Sequence, residues 1–357
     1  MANPSRYRFL YITRLFGQHK ALQYPKKMSR VEPKNVERVV ILGAGTMGGG
    51  WTAHYLAQGK SVTVSDPAPN AESRLRAFID KTWPTLQELG VLPGADRTAM
   101  RFVADPAEAV REAQFVQESA PESLATKVSL YQQIEATLPR DAIVATSTSG
   151  LSISELQEGR LGPERYVVGH PFNPPHIIPL VEVVGGRQTD PDVVAWTLDF
   201  YRAHGKRAIQ IRREVPGHLA NRLQIALWRE AVHAVATGVA SVEDVDAAVV
   251  HALGPRWALV GPHLTIHLAG GKGGMQHHLE HLGPAIEDWW ADLGSPSLTP
   301  EIKAQLIAGI NEETSGSTFD ELVSRRDRLL VAFLKMQKKE EAPGPETTDP
   351  GVEECTS

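Results

Sequence analysis

An α/β protein with a doubly wound, mostly parallel sheet followed by an all-helical domain is what three features of the 357-residue sequence predict. Apolar, strand-like runs alternate with helical stretches between residues 36 and 214, the pattern of strand and crossover helix. A glycine-rich turn, "GAGTMG", joins the first run to the first helix, and an acid ends the next run about twenty residues on. Beyond Pro216 the strand pattern stops and apolar residues recur at helical spacing.

Composition bounds the function. With 42% hydrophobic residues and a formal charge of −5, the chain has core enough for two domains. Its one cysteine, Cys355, rules out an intrachain disulfide framework and fits a reducing, cytoplasmic setting. No apolar run is long enough to span a bilayer, and mild acidity without a basic cluster outside the N-terminus argues against nucleic acid. The first 27 residues hold six Lys or Arg and no acid, a transit-like composition, yet Met28 opens an ordinary start shortly before the first strand. Residues 1–35 are therefore expected to be a disordered extension or an overlong start, and residues 337–357 a disordered acidic tail. Residues 36–214 and 215–336 remain as the two domains.

The first unit, "ERVVILGAGTMGGGWTAHYLAQGKSVTVSD", runs strand, turn, helix, strand. Gly43 permits the tight turn, Gly45 lets backbone approach a pyrophosphate and Gly48 lets the helix pack against the strands, with Thr46 and Met47 at the helix start. Asp66 would accept from ribose hydroxyls and repel a 2′-phosphate, so the expected cofactor is NAD. A lone GxGxxG carries little weight; this one has its strand, helix and acid. Next come the strand and helix of "FVQESAPESLATKVSLYQQIEATL", then the strands "AIVATSTSG", "YVVGH" and "LVEVVGG". Glu118, Glu122, Lys127, Ser147, Ser149 and His170 fall at or just after strand ends, the ligand edge of such a sheet. Any one of them could be a surface or capping residue, but six at one edge are hard to explain that way.

The stretch "GHPFNPP" holds His170 at the mouth of a proline-stiffened loop. A histidine at a strand end commonly just caps a carbonyl. Glu182, twelve residues on inside the apolar "PLVEVV", changes that reading, because a buried acid needs a partner and a His held by a carboxylate is a general base with its tautomer set.

After "REVPGHLANRL", residues Leu219, Leu223, Ala226, Leu227, Ala231 and Ala234 follow a helical period, and helices with Gly and Pro breaks continue to about Met336. Asn221 sits in the first turn, either as a terminal hydrogen-bonder or presenting its amide to the cleft between domains.

Taken together, "GAGTMG", the strand-terminal Asp66, "ESAPESLATK", "STSGLSI", "GHPFNPP" with "VEVV", and "EVPGHLANRL" resemble the 3-hydroxyacyl-CoA dehydrogenase superfamily over roughly residues 36–330. The resemblance implies that His170 is the catalytic base and Glu182 its partner, with Ser149 and Asn221 donating to the substrate oxygen. It implies that Asp66, Glu122, Lys127 and Ser147 line the cofactor, although Asn is common in the superfamily where Ser147 stands. The later segment "GPRWALVGPHLTIHLAGGKGGMQHHLEHLGPAIEDWWADLG" is most similar to the L-carnitine dehydrogenases, with L-gulonate 3-dehydrogenases and lambda-crystallins sharing its general pattern. That implies NAD-dependent oxidation of a small 3-hydroxy acid and a homodimer formed through the helical domain. The competing expectations are a 3-hydroxyacyl-CoA substrate and a crystallin-like protein that keeps only cofactor binding. A trimethylammonium group offers no N–H, so aromatic faces would have to receive it. Phe172, beside His170, and Trp257, after a Gly-Pro break, are the aromatic candidates, each also readable as core; His267 is a candidate for the substrate carboxylate.

Overall fold

The computed structural model describes residues 30–341. The opening basic segment of 27 residues, and the tail from 342 with Cys355, lie outside the described residues. Eight strands and their crossovers come first: β1 (Arg38–Leu42), α1 (Thr46–Ala57), β2 (Ser61–Ser65), α2 (Ala71–Leu89), β3 (Met100–Phe102), α3 (Pro106–Ala109), β4 (Phe115–Glu118), α4 (Leu124–Ile134), β5 (Ile143–Thr146), α5 (Ile153–Leu156), β6 (Tyr166–Pro171), β7 (Leu180–Gly185), α6 (Pro191–Ala203) and β8 (Arg207–Ile211). Helices alone follow: α7 (Ala220–Ala236), α8 (Val242–Ala248), α9 (Gly254–Ala269), α10 (Gly274–Asp292), α11 (Pro300–Glu313) and α12 (Phe319–Glu341).

The strands form one sheet in the order β3-β2-β1-β4-β5-β6-β7-β8. Every pairing is parallel except β6 with β7, which is antiparallel. Chain order reverses between β1 and β4, so the ends of these strands flank the topological switch point, where such sheets bind ligands. The central strands are buried on both faces, which explains their unbroken apolar character. In β1, Val39 and Ile41 join a core with Trp51, Tyr55, Phe115 and Phe200, while Val40 and Leu42 join one with Tyr131, Ile134 and Tyr166.

Helix α1 runs between the sheet and the proline loop. A Cβ on Gly50 would come within 2.5 Å of the Pro175 ring, so only glycine lets the helix lie that close. Lys206, just before β8, holds the same loop. Its buried ammonium donates to the carbonyls of Pro175 and Ile178, the latter at 3.1 Å, and lies 5.2 Å from the centroid of Trp51. Burial pushes this lysine down to about 7.

Three expectations need correction. Residues 31–35 are ordered: Val31 packs on the core, its carbonyl accepts from Trp196 Nε1 at 2.8 Å, and a short 3-10 turn forms at Pro33–Asn35. At the other end α12 continues to Glu341, five residues past the expected boundary at Met336, because "QKKEE" contains no breaker. Gly254-Pro255 is not a break. Pro255 lies at the start of α9, where its missing N–H costs nothing, and a π turn at Val249–Leu253 leads straight into it. The chain kinks instead at Gly261, with φ 74°, before Pro262.

Ser123 caps α4 and places Lys127 in its first turn, where the side chain runs inward. The ammonium donates to Glu118 Oε1 at 2.6 Å and to the Ala120 carbonyl at 3.1 Å, while Tyr131 donates to Glu118 Oε2 at 2.8 Å. Both charges are buried, at 1% and 0% exposure, so removing one strands the other. Lys127→Met is expected to destabilise the protein by about 3–5 kcal/mol, whereas Arg187→Ala, which removes an exposed pair with Glu158, should cost no more than about 1 kcal/mol. Urea unfolding of the two variants checks the contrast.

Candidate active site

The antiparallel register sets His170 directly opposite Glu182. His170 Nδ1 lies 2.9 Å from Glu182 Oε2, with both side chains buried. The second carboxylate oxygen accepts the N–H groups of Leu219, at 3.0 Å, and Ala220, at 2.8 Å, at the start of α7. Burial would raise the pKa of Glu182, but the bond from His170 and the two backbone donors outweigh it and hold the carboxyl below its ordinary value. An ionised carboxylate only accepts, so Nδ1 carries a proton, and in the neutral ring the lone pair is on Nε2. The Phe172 ring stands edge-on to His170 at 4.8 Å.

Ser149 and Asn221 are tied to this pair through their neighbours. His218 Nε2 bonds the Thr148 carbonyl at 3.0 Å, and its ring lies 5.0 Å from that of His170, which connects the loop of Ser149 to His170. Asn221 follows Ala220, whose N–H Glu182 holds. His218 is buried, adopts a left-handed φ of 50° and, among the described residues, leaves Nδ1 without a partner. Burial, followed by the nearby His170, lowers its pKa.

The glycine turn has the shape of a phosphate cradle. Gly43 has φ 99°, and a Cβ there would meet the Ser119 carbonyl at 2.6 Å; one on Gly48 would fall 1.8 Å from the Gly43 carbonyl. A Cβ on Gly45 would meet nothing within 4 Å. This open space lies at the N-terminus of α1, which no side chain caps, so the first N–H groups, on Thr46 and Met47, remain for an anion. Asp66, at the end of β2, accepts from Ala44 N–H at 2.7 Å and Ala68 N–H at 2.8 Å and thereby fixes the turn. These residues fit a dinucleotide.

The family models agree. Residues 38–215 match the 3-hydroxyacyl-CoA dehydrogenase NAD binding domain and residues 217–294 the C-terminal domain of the same enzymes. The chain belongs to the 3-hydroxyacyl-CoA dehydrogenase family. It is 50% identical to an L-carnitine dehydrogenase of Nocardiopsis dassonvillei over 86% of its own length and 93% of that protein's. A Streptomyces coelicolor L-carnitine dehydrogenase is 48% identical over 85% and 95%. Among solved structures, 5-formyl-3-hydroxy-2-methylpyridine 4-carboxylic acid 5-dehydrogenase, an NAD+ dependent dismutase, superposes with a TM-score of 0.73 at 33% identity, covering 85% of this chain and 99% of that one.

Several expected residues of this 3-hydroxyacyl-CoA dehydrogenase family member are used differently from the simplest reading. Glu122 Oε1 accepts from Thr148 Oγ1 at 2.5 Å and from the N–H groups of Ser149 and Gly150 at 2.8 and 3.1 Å, so it shapes the serine loop. Burial acts to raise its pKa, but those bonds and Lys127 bring it below the ordinary carboxyl value. Stability from Glu122 and Glu182 is therefore complete above the usual carboxylate range and is lost as pH falls through their depressed values. Lys127 is turned inward to Glu118, 3.6 Å from Glu122, and is not an open cofactor contact. His267 Nδ1 accepts Met275 N–H at 3.1 Å at the start of α10, and Trp257 sits on α9 at 37% exposure. Among the described residues, neither makes a hydrogen bond or ring contact with His170 or Phe172. Gln117, Ser119, Tyr201 and His218 were not anticipated, although Gln117 is a polar residue in an apolar strand, the same signal that marked Glu182.

The glycine geometry separates fold from binding. Gly45→Ala should leave the melting temperature close to wild type while abolishing most NAD binding. Gly48→Ala should lower the melting temperature, because the turn must open. Thermal melts with and without NAD distinguish the two.

Proposed function

We propose that this chain oxidises L-carnitine at C3 to 3-dehydrocarnitine with NAD+, with His170 as base and Glu182 as its partner. The reading rests on the intact His170–Glu182 pair in a chain half identical, over nearly all its folded length, to proteins named L-carnitine dehydrogenases. Residues 36–214 hold the cofactor, through Gly43, Gly45, Thr46, Met47, Gly48, Asp66 and Ser147, and residues 215–336 complete the substrate site. NAD+ supplies the hydride acceptor when bound. Nε2 of His170 takes the proton from the C3 hydroxyl, and the charge that develops on the imidazole is balanced by Glu182. Ser149 and Asn221 hold the substrate oxygen in register, an advantage of position rather than of added chemistry.

Phe172 is the aromatic face best placed for the trimethylammonium group, since it already touches the base. A homodimer is part of the same reading. Leu223, Ile225 and Trp228 on α7 and Leu259 and Leu264 on α9 are 45–63% exposed in the single chain, more apolar surface than a monomer keeps bare. A reducing cytoplasm suits a chain with one cysteine.

The deciding experiment is NADH production by the purified protein with carnitine, gulonate, 3-hydroxybutyrate and 3-hydroxybutyryl-CoA. Carnitine should be preferred, and equal turnover of the CoA ester would replace this reading with an acyl-CoA one. His170→Ala should lower kcat by on the order of 100-fold or more with NAD binding retained; turnover near wild type would remove His170 from the mechanism. Phe172→Ala should raise KM for carnitine by an amount equivalent to about 0.5–2 kcal/mol and leave NAD affinity unchanged. A tert-butyl isostere of carnitine should be a poor substrate for wild type and discriminate little between the two proteins.

A further inference from the structure

Between the glycine turn and the catalytic histidine, the sheet edge passes from β1 through β4 and β5 to β6. Ser119 and Ser147 stand at the ends of β4 and β5, with Ser119 directly against the glycine turn, where its carbonyl excludes a Cβ on Gly43. On the proposed reading, a dinucleotide with its pyrophosphate at Gly45 and its reacting ring near His170 must cross this pair.

Beneath the serines lies Gln117, fully buried. The Gly169 carbonyl can only accept, so the amide end facing it is the nitrogen, and Tyr201 OH donates to the other end, Oε1, at 2.6 Å. Burial raises the Tyr201 pKa well above its ordinary value, so the phenol stays a donor. The Gln117 Nε2 protons go to Ser147 Oγ, at 2.8 Å, and to the carbonyl of Gly169, the residue before the base, at 3.2 Å. Ser147 Oγ and Ser119 Oγ are 2.9 Å apart. Proton counting then settles what the pair can offer. Two hydroxyls hold two protons, one is spent between them, and none can go to Gln117, whose nitrogen only donates. When Ser119 donates to Ser147, both lone pairs of Ser147 are filled and its own O–H can point only outward.

We propose that Gln117, held by Tyr201, is a positioning residue that, with Ser119 donating to Ser147, turns the Ser147 O–H outward as a hydrogen-bond donor to the nicotinamide half of the cofactor. This rests on the NAD reading above. It also explains how a serine serves at a position where the superfamily often has Asn: the carboxamide is supplied from β4 instead.

The test is calorimetric titration of the full chain with NAD+ and with ADP-ribose, which lacks the nicotinamide. In Gln117→Leu/Tyr201→Phe, which removes the amide without orphaning the phenol, NAD+ affinity should fall by roughly 3- to 10-fold, the worth of a hydrogen bond, while ADP-ribose affinity holds. Adding Ser147→Asn, which brings its own N–H donors, should restore NAD+ affinity; a purely structural role for Gln117 would not be rescued this way. If the buried double variant fails to fold, Ser147→Ala at the half-buried surface must show the same NAD-selective loss. Unchanged NAD+ affinity, equal loss for both ligands, or no recovery with Asn would overturn the proposal. Wild type binding neither ligand would overturn the cofactor reading along with it, whereas wild type binding both and variants losing neither overturns the donor alone.

Discussion

One carboxylate, that of Glu182, joins the parts of this molecule. Its position opposite His170 follows from the single antiparallel pairing in an otherwise parallel sheet. One oxygen fixes the imidazole, and the other holds two backbone N–H groups where α7 begins. The chain's passage from sheet to helices is thus anchored on the partner of His170, and an acid in a fully buried strand keeps its charge because every bond it makes comes from a donor.

Buried charge elsewhere at this edge follows the same logic. Glu118 has Lys127, Tyr131 and the Ala120 N–H. Among the described residues, Lys206 has no carboxylate partner and is met by two carbonyls and an indole face. Carbonyl dipoles solvate an ammonium incompletely, which is why burial pushes the lysine down while Glu182, met by donors, does not rise. Rigidity at the edge comes from these internal contacts, while Gly45 is left with free space.

Legibility in the sequence tracked the range of the interaction. The strand, glycine turn, helix and Asp66 are readable because each constraint acts within about one βαβ unit. Glu182 could be paired with His170 because hairpin neighbours are close in sequence and an acid in an apolar strand must have a partner. The partner of Gln117, by contrast, is 84 residues away and that of His218 is 70, so a period or a local motif cannot reveal them. Residue type also misleads about use: Glu122, Lys127 and His267 are the right chemistry for ligands, but backbone donors and a buried acid claim them first. The Gly-Pro pair at 254–255 was misread because the same dipeptide can start a helix or stop one.

The contact between Gly50 and Pro175 has an evolutionary corollary. Helix α1 and the loop that follows His170 touch through a missing methyl group and a ring. A methyl at 50 can be accommodated only after the ring at 175 has gone, and a bulkier 175 only while 50 stays bare. The two positions are therefore locked in an ordered, epistatic walk, and homologues that cross it should do so in pairs, with cofactor affinity and the setting of the base drifting together.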